Sequence, residues 1–266
     1  MRTVFHIFII STTFLSLGCE SEELLSPEAV HTEYTVVQAE IHPDKLFPGV
    51  RFTKTLPLGV PYNIQHAELK LVTAYLVKNE VQIIPLHYTT EGIYKPRYEF
   101  YVEEGETYEL IAERDNIYIY SKTVIPYKPS VTNTNYNAGS FYFDADVSSK
   151  LNEVYGALWI ISRIPPARAI DFFSITQPAS IVNTSVGIRT SSLPEKYRGP
   201  VYSDSRYIQV YAFDVSFRKY FYSRKSGQEI NDPFIQGGGA VEWNVQGDKV
   251  IGMFIGITAG DIIKID

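Results

Sequence analysis

Beyond Cys19 the chain contains no cysteine, and beyond His87 it contains no histidine. The first absence removes disulfides, thiolate metal sites and a cysteine nucleophile from everything downstream. The second obliges any Ser-His-Asp triad to take its base from the early part of the chain, from His31, His42, His66 or His87. No Gly-x-Ser-x-Gly elbow supplies the serine, so an esterase is disfavoured. Positive charge is scarce as well. Lys and Arg number 24 against 30 Asp and Glu, a net charge of -6 with His neutral, so the basic footprint of a nucleic-acid binder is missing and no nucleic-acid partner is expected. Internal repeats, coiled-coil heptads and low-complexity tracts are also lacking.

Long apolar runs are confined to residues 4–17, which hold Phe5, Ile7, Phe8, Ile9, Ile10, Phe14 and Leu15 behind Arg2. As a helix rising about 1.5 Å per residue, this run spans roughly 20 Å, short of the roughly 30 Å hydrocarbon core of a bilayer. It reads as a signal-peptide core over 1–18 that targets the chain rather than holding it across a membrane. The sole cysteine closes the run behind Gly18. Leu15-Ser16-Leu17-Gly18-Cys19 resembles a lipobox, with Ser16 three positions before the cysteine and the usual leucine displaced to Leu15. That resemblance implies cleavage before Cys19, a diacylglycerol thioether on its sulfur, and palmitate-type acyl chains in the membrane. Two or three acyl chains anchor stably where one does not. The following Glu20-Ser21-Glu22-Glu23 resembles the short acidic export signal that sends lipoproteins of Bacteroidota-type bacteria to the outer face of the outer membrane. Read by its charge alone, the stretch 19–33 is a solvated acidic tether, which leaves the periplasmic face open as well.

The 20 Tyr and 15 Phe fit a pleated, half-buried surface, so the composition favours strands. Strands are expected over 34–41, 50–56, 67–77, 81–86, 97–102, 107–114 and 117–125, separated by Pro, Gly, Asn and Asp turns. Within 67–77 the alternation puts Leu69, Leu71, Thr73, Tyr75 and Val77 on one face and Glu68, Lys70, Val72 and Ala74 on the other. Strands this short, at this spacing, predict an immunoglobulin-like β-sandwich over 34–126, without the Cys-Trp-Cys core of antibody domains. Residues 127–139, rich in Pro, Asn and Thr, read as a linker. A second β-rich domain is expected over 140–266, with strands at 140–147, within 151–164, at 172–176, 180–188 and 206–216. Residues 217–223 are compatible with helix or strand. Gly247-Asp248 reads as a hairpin turn between 243–245 and 250–255. The fold class is therefore all-β: an N-terminal immunoglobulin-like β-sandwich followed by a second β-rich domain.

Candidate chemistry is thin. His42 with Asp44 offers two metal-type ligands, but Pro43 between them makes a solvated turn. Asp144-Ala145-Asp146 offers oxygens without the other positions of a calcium loop. Gly237-Gly238-Gly239 lacks the strand and helix of a phosphate cradle. Carboxylates suited to glycoside hydrolysis are numerous, yet nothing selects a pair. Tyr98, Tyr101, Tyr118, Tyr120, Tyr207, Tyr211, Tyr220 and Tyr222 have rings able to stack on sugars or apolar ligands; the commoner use is aromatic pairing that stabilises sheets. No residue is singled out as catalytic, metal-ligating or ligand-binding, and no cofactor is expected. Cys19, as the lipid attachment, is the one site residue.

Several segments taken together resemble a known family. They are the lipobox-like start, Val36-Val37-Gln38-Ala39-Glu40-Ile41, Gly105-Glu106-Thr107-Tyr108-Glu109-Leu110, Lys219-Tyr220-Phe221-Tyr222 before Asp232-Pro233-Phe234, and the ending Asn244-Val245-Gln246-Gly247-Asp248 with Ile251-Gly252-Met253-Phe254. In this order they look like the Bacteroidota lipoprotein family catalogued as domain of unknown function 4249. Asp248-Lys249 departs from it, standing where that family tends to have small residues. The resemblance implies an outer-membrane lipoprotein held by lipid through Cys19, surface-exposed and associated with a TonB-dependent transporter in nutrient uptake. It implies no catalytic residues, so the chain is expected to be a non-enzymatic binding or accessory subunit. A surface structural or adhesive protein is the alternative, and a hydrolase a more distant one. Cys19→Ala is expected to abolish incorporation of labelled palmitate and to move the protein from the membrane pellet to the soluble fraction; continued labelling would remove the anchor.

Overall fold

The computed structural model describes residues 31–162, 168–172, 184–223 and 241–265. The signal segment, Cys19, the acidic run, Asp232-Pro233-Phe234 and the glycine run 237–239 lie outside the described residues. The protein is all-β, as expected, with one large sheet and one small one.

In chain order the first part comprises β1 (Thr35–Ile41), β2 (Val50–Lys54), a one-turn helix α1 (Ile64–Ala67), β3 (Thr73–Lys78), β4 (Gln82–Thr90), β5 (Ile93–Lys95), β6 (Thr107–Arg114) and β7 (Ile117–Val124). The second comprises β8 (Ser130–Asn137), β9 (Tyr142–Ser148), β10 (Glu153–Ile161), β11 (Arg168–Phe172), β12 (Ser185–Arg189), β13 (Arg206–Asp214), the helix α2 (Phe217–Ser223) and β14 (Val250–Lys264). The large sheet has the order β11-β10-β13-β14-β1-β2-β5-β4-β3-β6-β7, and the small one β12-β9-β8.

Side-chain parity explains most strands. In β1, Thr35, Val37, Ala39 and Ile41 point into the core while Val36, Gln38 and Glu40 point out. In β13, Ile208, Val210 and Ala212 are fully buried. β10 is apolar on both faces because both are covered, which is why it reads as a continuous hydrophobic run.

β14 joins the two parts. Its residues 250–256 pair in parallel with β1, and from Ile257 to Lys264 it pairs antiparallel with β13. Alternate residues serve different cores. Val250 and Phe254 enter the core built on Val37, Phe52, Leu76, Leu110 and Ile119, while Met253, Ile255 and Ile257 enter the one built on Phe213, Phe217 and Tyr220. A third cluster around Tyr155, Trp159, Ile208 and Val210 lies between β10, β13 and the small sheet. Residues 33–266 form one compact unit.

β7, at the far edge of the large sheet, folds back to meet the approach to β14. Tyr120 and Gln246 exchange both backbone hydrogen bonds, at 3.0 and 2.7 Å. Ser121 Oγ donates to the Asn244 carbonyl (2.9 Å), and the Gly256 amide donates to Thr123 Oγ1 (2.8 Å). This closes the first seven strands into a sandwich-like fold over its core.

Four details differ from the sequence expectation. Residues 127–139, expected as a linker, carry β8, paired with β9; its Asn and Thr are polar because this edge strand is largely solvated. In β3 the inward residues are Ala74 and Leu76, preceded by buried Val72, while Leu71 and Tyr75 are exposed at 90% and 38%. Parity alone did not choose between two apolar faces. Residues 97–102 form only an isolated bridge at Tyr101, and the third strand of that region is β5. Residues 243–245 form no ladder with β14, whose first half pairs with β1 and second half with β13. Instead the Asn244 side chain bridges the turn, donating to the Phe254 carbonyl (2.7 Å) and accepting from the Phe254 amide (3.0 Å).

Gly252 of β14 lies with its backbone directly against Val37 of β1. Its φ is +136°, and a Cβ there would sit 1.9 Å from the Val37 carbonyl oxygen. Gly59 also has positive φ, +84°, but nothing lies within 4 Å of a Cβ. Gly252→Ala is therefore expected to destabilise by more than ~3 kcal/mol, and Gly59→Ala by only ~1–2 kcal/mol for its backbone conformation. Equal denaturation midpoints for the two variants would refute the close approach.

Candidate binding site

The outward face of β1, β2 and β14 forms the floor of a cleft of about 650 Å³. Because β-strand side chains alternate, the outward-facing residues line it: Val36, Gln38 and Glu40 from β1, Arg51 from β2 and Ile251 from β14, with Met253 of the core below showing one side to it. Register places Gln38 between Arg51 on one neighbour and Met253 on the other. One wall is aromatic. Tyr220 of α2 lies under Trp243, their ring centroids 5.5 Å apart and tilted by 36°. His42, Pro48, Gly49 and Ile93 complete the lining.

The charges within the cleft are of mixed sign. Arg51 is a cation with Glu91 3.7 Å away, a solvated pair that binds weakly, and Glu40 adds a carboxylate. Burial lowers the His42 imidazole from its ordinary value, and the charge of Lys45 acts in the same direction, against a hydrogen bond to the Ile257 backbone. The imidazole is thus neutral at pH 7, and the cleft has no strong field of either sign.

The residues weighed from sequence are dispersed. His42 follows β1 and lines the cleft, while Asp44 sits in a turn with φ +57°, its amide bonded to the Val102 carbonyl (3.0 Å). Among the described residues, no group of three or more His, Cys, Asp or Glu is arranged to hold a metal ion. Asp144 and Asp146 share one face of β9 but are already engaged. Arg189 forks onto Asp144 at 2.6 and 3.2 Å, and Asn133 donates to Asp146 at 3.3 Å. Of the eight tyrosines, only Tyr220 lines the cleft. Tyr98, Tyr101, Tyr118 and Tyr222 are solvent-exposed, and Tyr211 stacks on Phe213 at 6.2 Å. Trp243 was missed as a site residue; its one sequence signal is a tryptophan between polar Glu242 and Asn244 just before a turn.

The structure does select one carboxylate pair. Glu153 on β10 and Asp214 on β13 stand opposite each other, with only 4% and 6% exposure. Both are occupied with backbone. Asp214 accepts the amides of Val124 (2.9 Å) and Ser216 (2.8 Å), and Glu153 accepts the Tyr127 amide (2.8 Å) and the Tyr155 hydroxyl (2.6 Å). They hold the crossover from β7 to β8 against β10 and β13. Burial pushes both carboxyls up from their ordinary values, and the hydrogen bonds only partly offset it.

No family model matches the chain, and no curated protein matches it. Among solved structures, a DUF4785 family protein from Legionella pneumophila is similar at 13% identity and a TM-score of 0.27, covering 69% of this chain. This chain spans about half, 52%, of that protein.

The raised Asp214 carboxyl has a definite pH signature. It binds its proton more tightly folded than unfolded, so its contribution to stability is complete below the ordinary value of about 4 and is lost as pH rises through the folded value. Asp214→Asn keeps a neutral acceptor and gives up one amide bond. The stability advantage of wild type over Asp214→Asn is expected to be at its full value below about pH 4 and to shrink toward neutrality in urea unfolding. An advantage that grows with pH would contradict the assignment.

Proposed function

We propose that the protein is an outer-membrane lipoprotein anchored through Cys19 and exposed at the cell surface, acting as a non-enzymatic binding or accessory subunit of TonB-dependent nutrient uptake. The observation that carries the binding role is the cleft on β1, β2 and β14. It has ligand size and pairs an aromatic wall with hydrogen-bonding side chains on a strand floor. Rigid strands make a better platform for recognition than loops. The anchoring and the transporter association draw their support from the lipobox-like stretch, the acidic run after it, and the resemblance to the domain of unknown function 4249 family.

A surface structural or adhesive role is the second reading. One feature favours it: Leu71, Ile83 and Tyr118, at or near the outer face of the β4-β3-β6-β7 sheet, are 90%, 66% and 57% exposed.

The test is a pull-down of the detergent-solubilised protein from its own membranes, with Cys19→Ala as control and mass spectrometry of what accompanies it. A TonB-dependent barrel enriched with wild type and lost with the variant is the expected result. Recovery of the wild type alone, together with adhesion of the protein to a solid matrix, would replace the uptake reading with the adhesive one.

A further inference from the structure

Inside the cleft, the side chains select a ligand class. The floor presents Gln38 and Arg51, register partners on neighbouring strands, and Glu40 two residues further along β1, all planar groups with donors or acceptors. An amide, a guanidinium and a carboxylate each have two adjacent polar atoms, a spacing that matches vicinal hydroxyls. The wall presents the opposite chemistry, the Trp243 and Tyr220 rings 5.5 Å apart. An aromatic ring buries an apolar face while its edge stays compatible with polar neighbours.

Three ligand classes can be weighed against this lining. A fatty or wholly apolar ligand would leave the exposed Gln38 amide desolvated without a partner, at a cost of ~1–3 kcal/mol. A phosphate or other strong anion would meet the Glu40 and Glu91 carboxylates beside Arg51, the one Lys or Arg in the lining. A neutral polyol with one apolar face satisfies both surfaces. The cleft, at about 650 Å³, lies well inside the ~300–1,000 Å³ range of small-ligand sites and exceeds the needs of one sugar ring.

We infer that the β1-β2-β14 cleft binds a neutral oligosaccharide, one ring packed against Trp243 and its hydroxyls bonded to Gln38, Glu40 and Arg51. This deepens the binding role proposed above and rests on it, but not on the anchor or the transporter.

The chain provides its own reporter. Of its two tryptophans, Trp159 is fully buried and donates to the Ser191 carbonyl (3.1 Å), so a ligand-induced change in indole emission belongs to Trp243. Detergent-solubilised full-length protein would be titrated with maltohexaose, cellohexaose, xylohexaose and mannohexaose, with inorganic phosphate and oleate as the anionic and apolar comparisons. Saturable emission change with at least one saccharide is expected, weakened at least tenfold in Gln38→Ala. In Trp243→Ala the emission response should vanish, and calorimetric affinity should fall at least tenfold. Gln38 is exposed, so its variant tests the site even where Trp243→Ala unfolds.

No saturable response to any of the four saccharides overturns the inference. So does a response that Gln38→Ala leaves unchanged, or tighter binding of phosphate or oleate. Failure here is separable from failure of the uptake reading. A chain that brings down a barrel but binds no sugar keeps its transporter and loses this ligand class. One that binds sugar and comes down alone keeps the cleft and loses the transporter.

Discussion

Everything in this fold depends on β14 having partners from both ends of the chain. Its first half adds in parallel to β1, its second half adds antiparallel to β13, and the two parts of the large sheet are joined to each other through it. A parallel pair has no local turn to nucleate it, and here the intervening loop is nearly the whole described chain. The entropy of closing that loop must be met before the contact stabilises anything, which makes this pairing a costly one to nucleate. The close approach at Gly252 follows from the same demand. Backbone must come against backbone where no side chain fits.

The seam between the two parts is polar, and it is satisfied. Glu153 and Asp214 catch the Tyr127 and Val124 amides on either side of Ile125-Pro126, Thr258 Oγ1 donates to the Pro126 carbonyl, and Asn244 spans the turn to Phe254. Each bond is buried or partly so, where an unmade one costs more than a made one contributes. Taking each carboxylate out of water is unfavourable in itself, and burial moves both upward as a result. What they supply is direction. They specify where the crossover lies and therefore which strand β7 approaches.

The cleft is a by-product of that assembly. With Val37, Ala39 and Ile41 committed to the core, Val36, Gln38 and Glu40 have to face the other way, and β2 and β14 extend that outward face on both sides. α2 and Trp243 then wall it because Phe217 and Tyr220 pack under β13 and β14. Scaffold and binding surface are opposite faces of the same strands, so the floor inherits the rigidity of the core beneath it.

Alternation along β1, β6, β7 and β13 was legible in the sequence because it is local. A strand with one buried face writes a period of two into its own residues, and turn residues bound it without reference to anything distant. The sequence by itself also determined the absence of thiol chemistry downstream of Cys19 and the presence of a targeting-type apolar run, since both are matters of composition. Tertiary structure alone decided the rest. β3 has apolar residues on both faces, and only its neighbours settle that Ala74 and Leu76 go inward while Tyr75 stays out. β8 reads as a linker because an edge strand in water needs no apolar face. Glu153 and Asp214, ordinary acids by sequence, become a pair only when β10 and β13 align. Trp243 becomes a cleft wall only when β14, β1 and α2 meet, through contacts between residues so far apart in the chain that no local pattern records them.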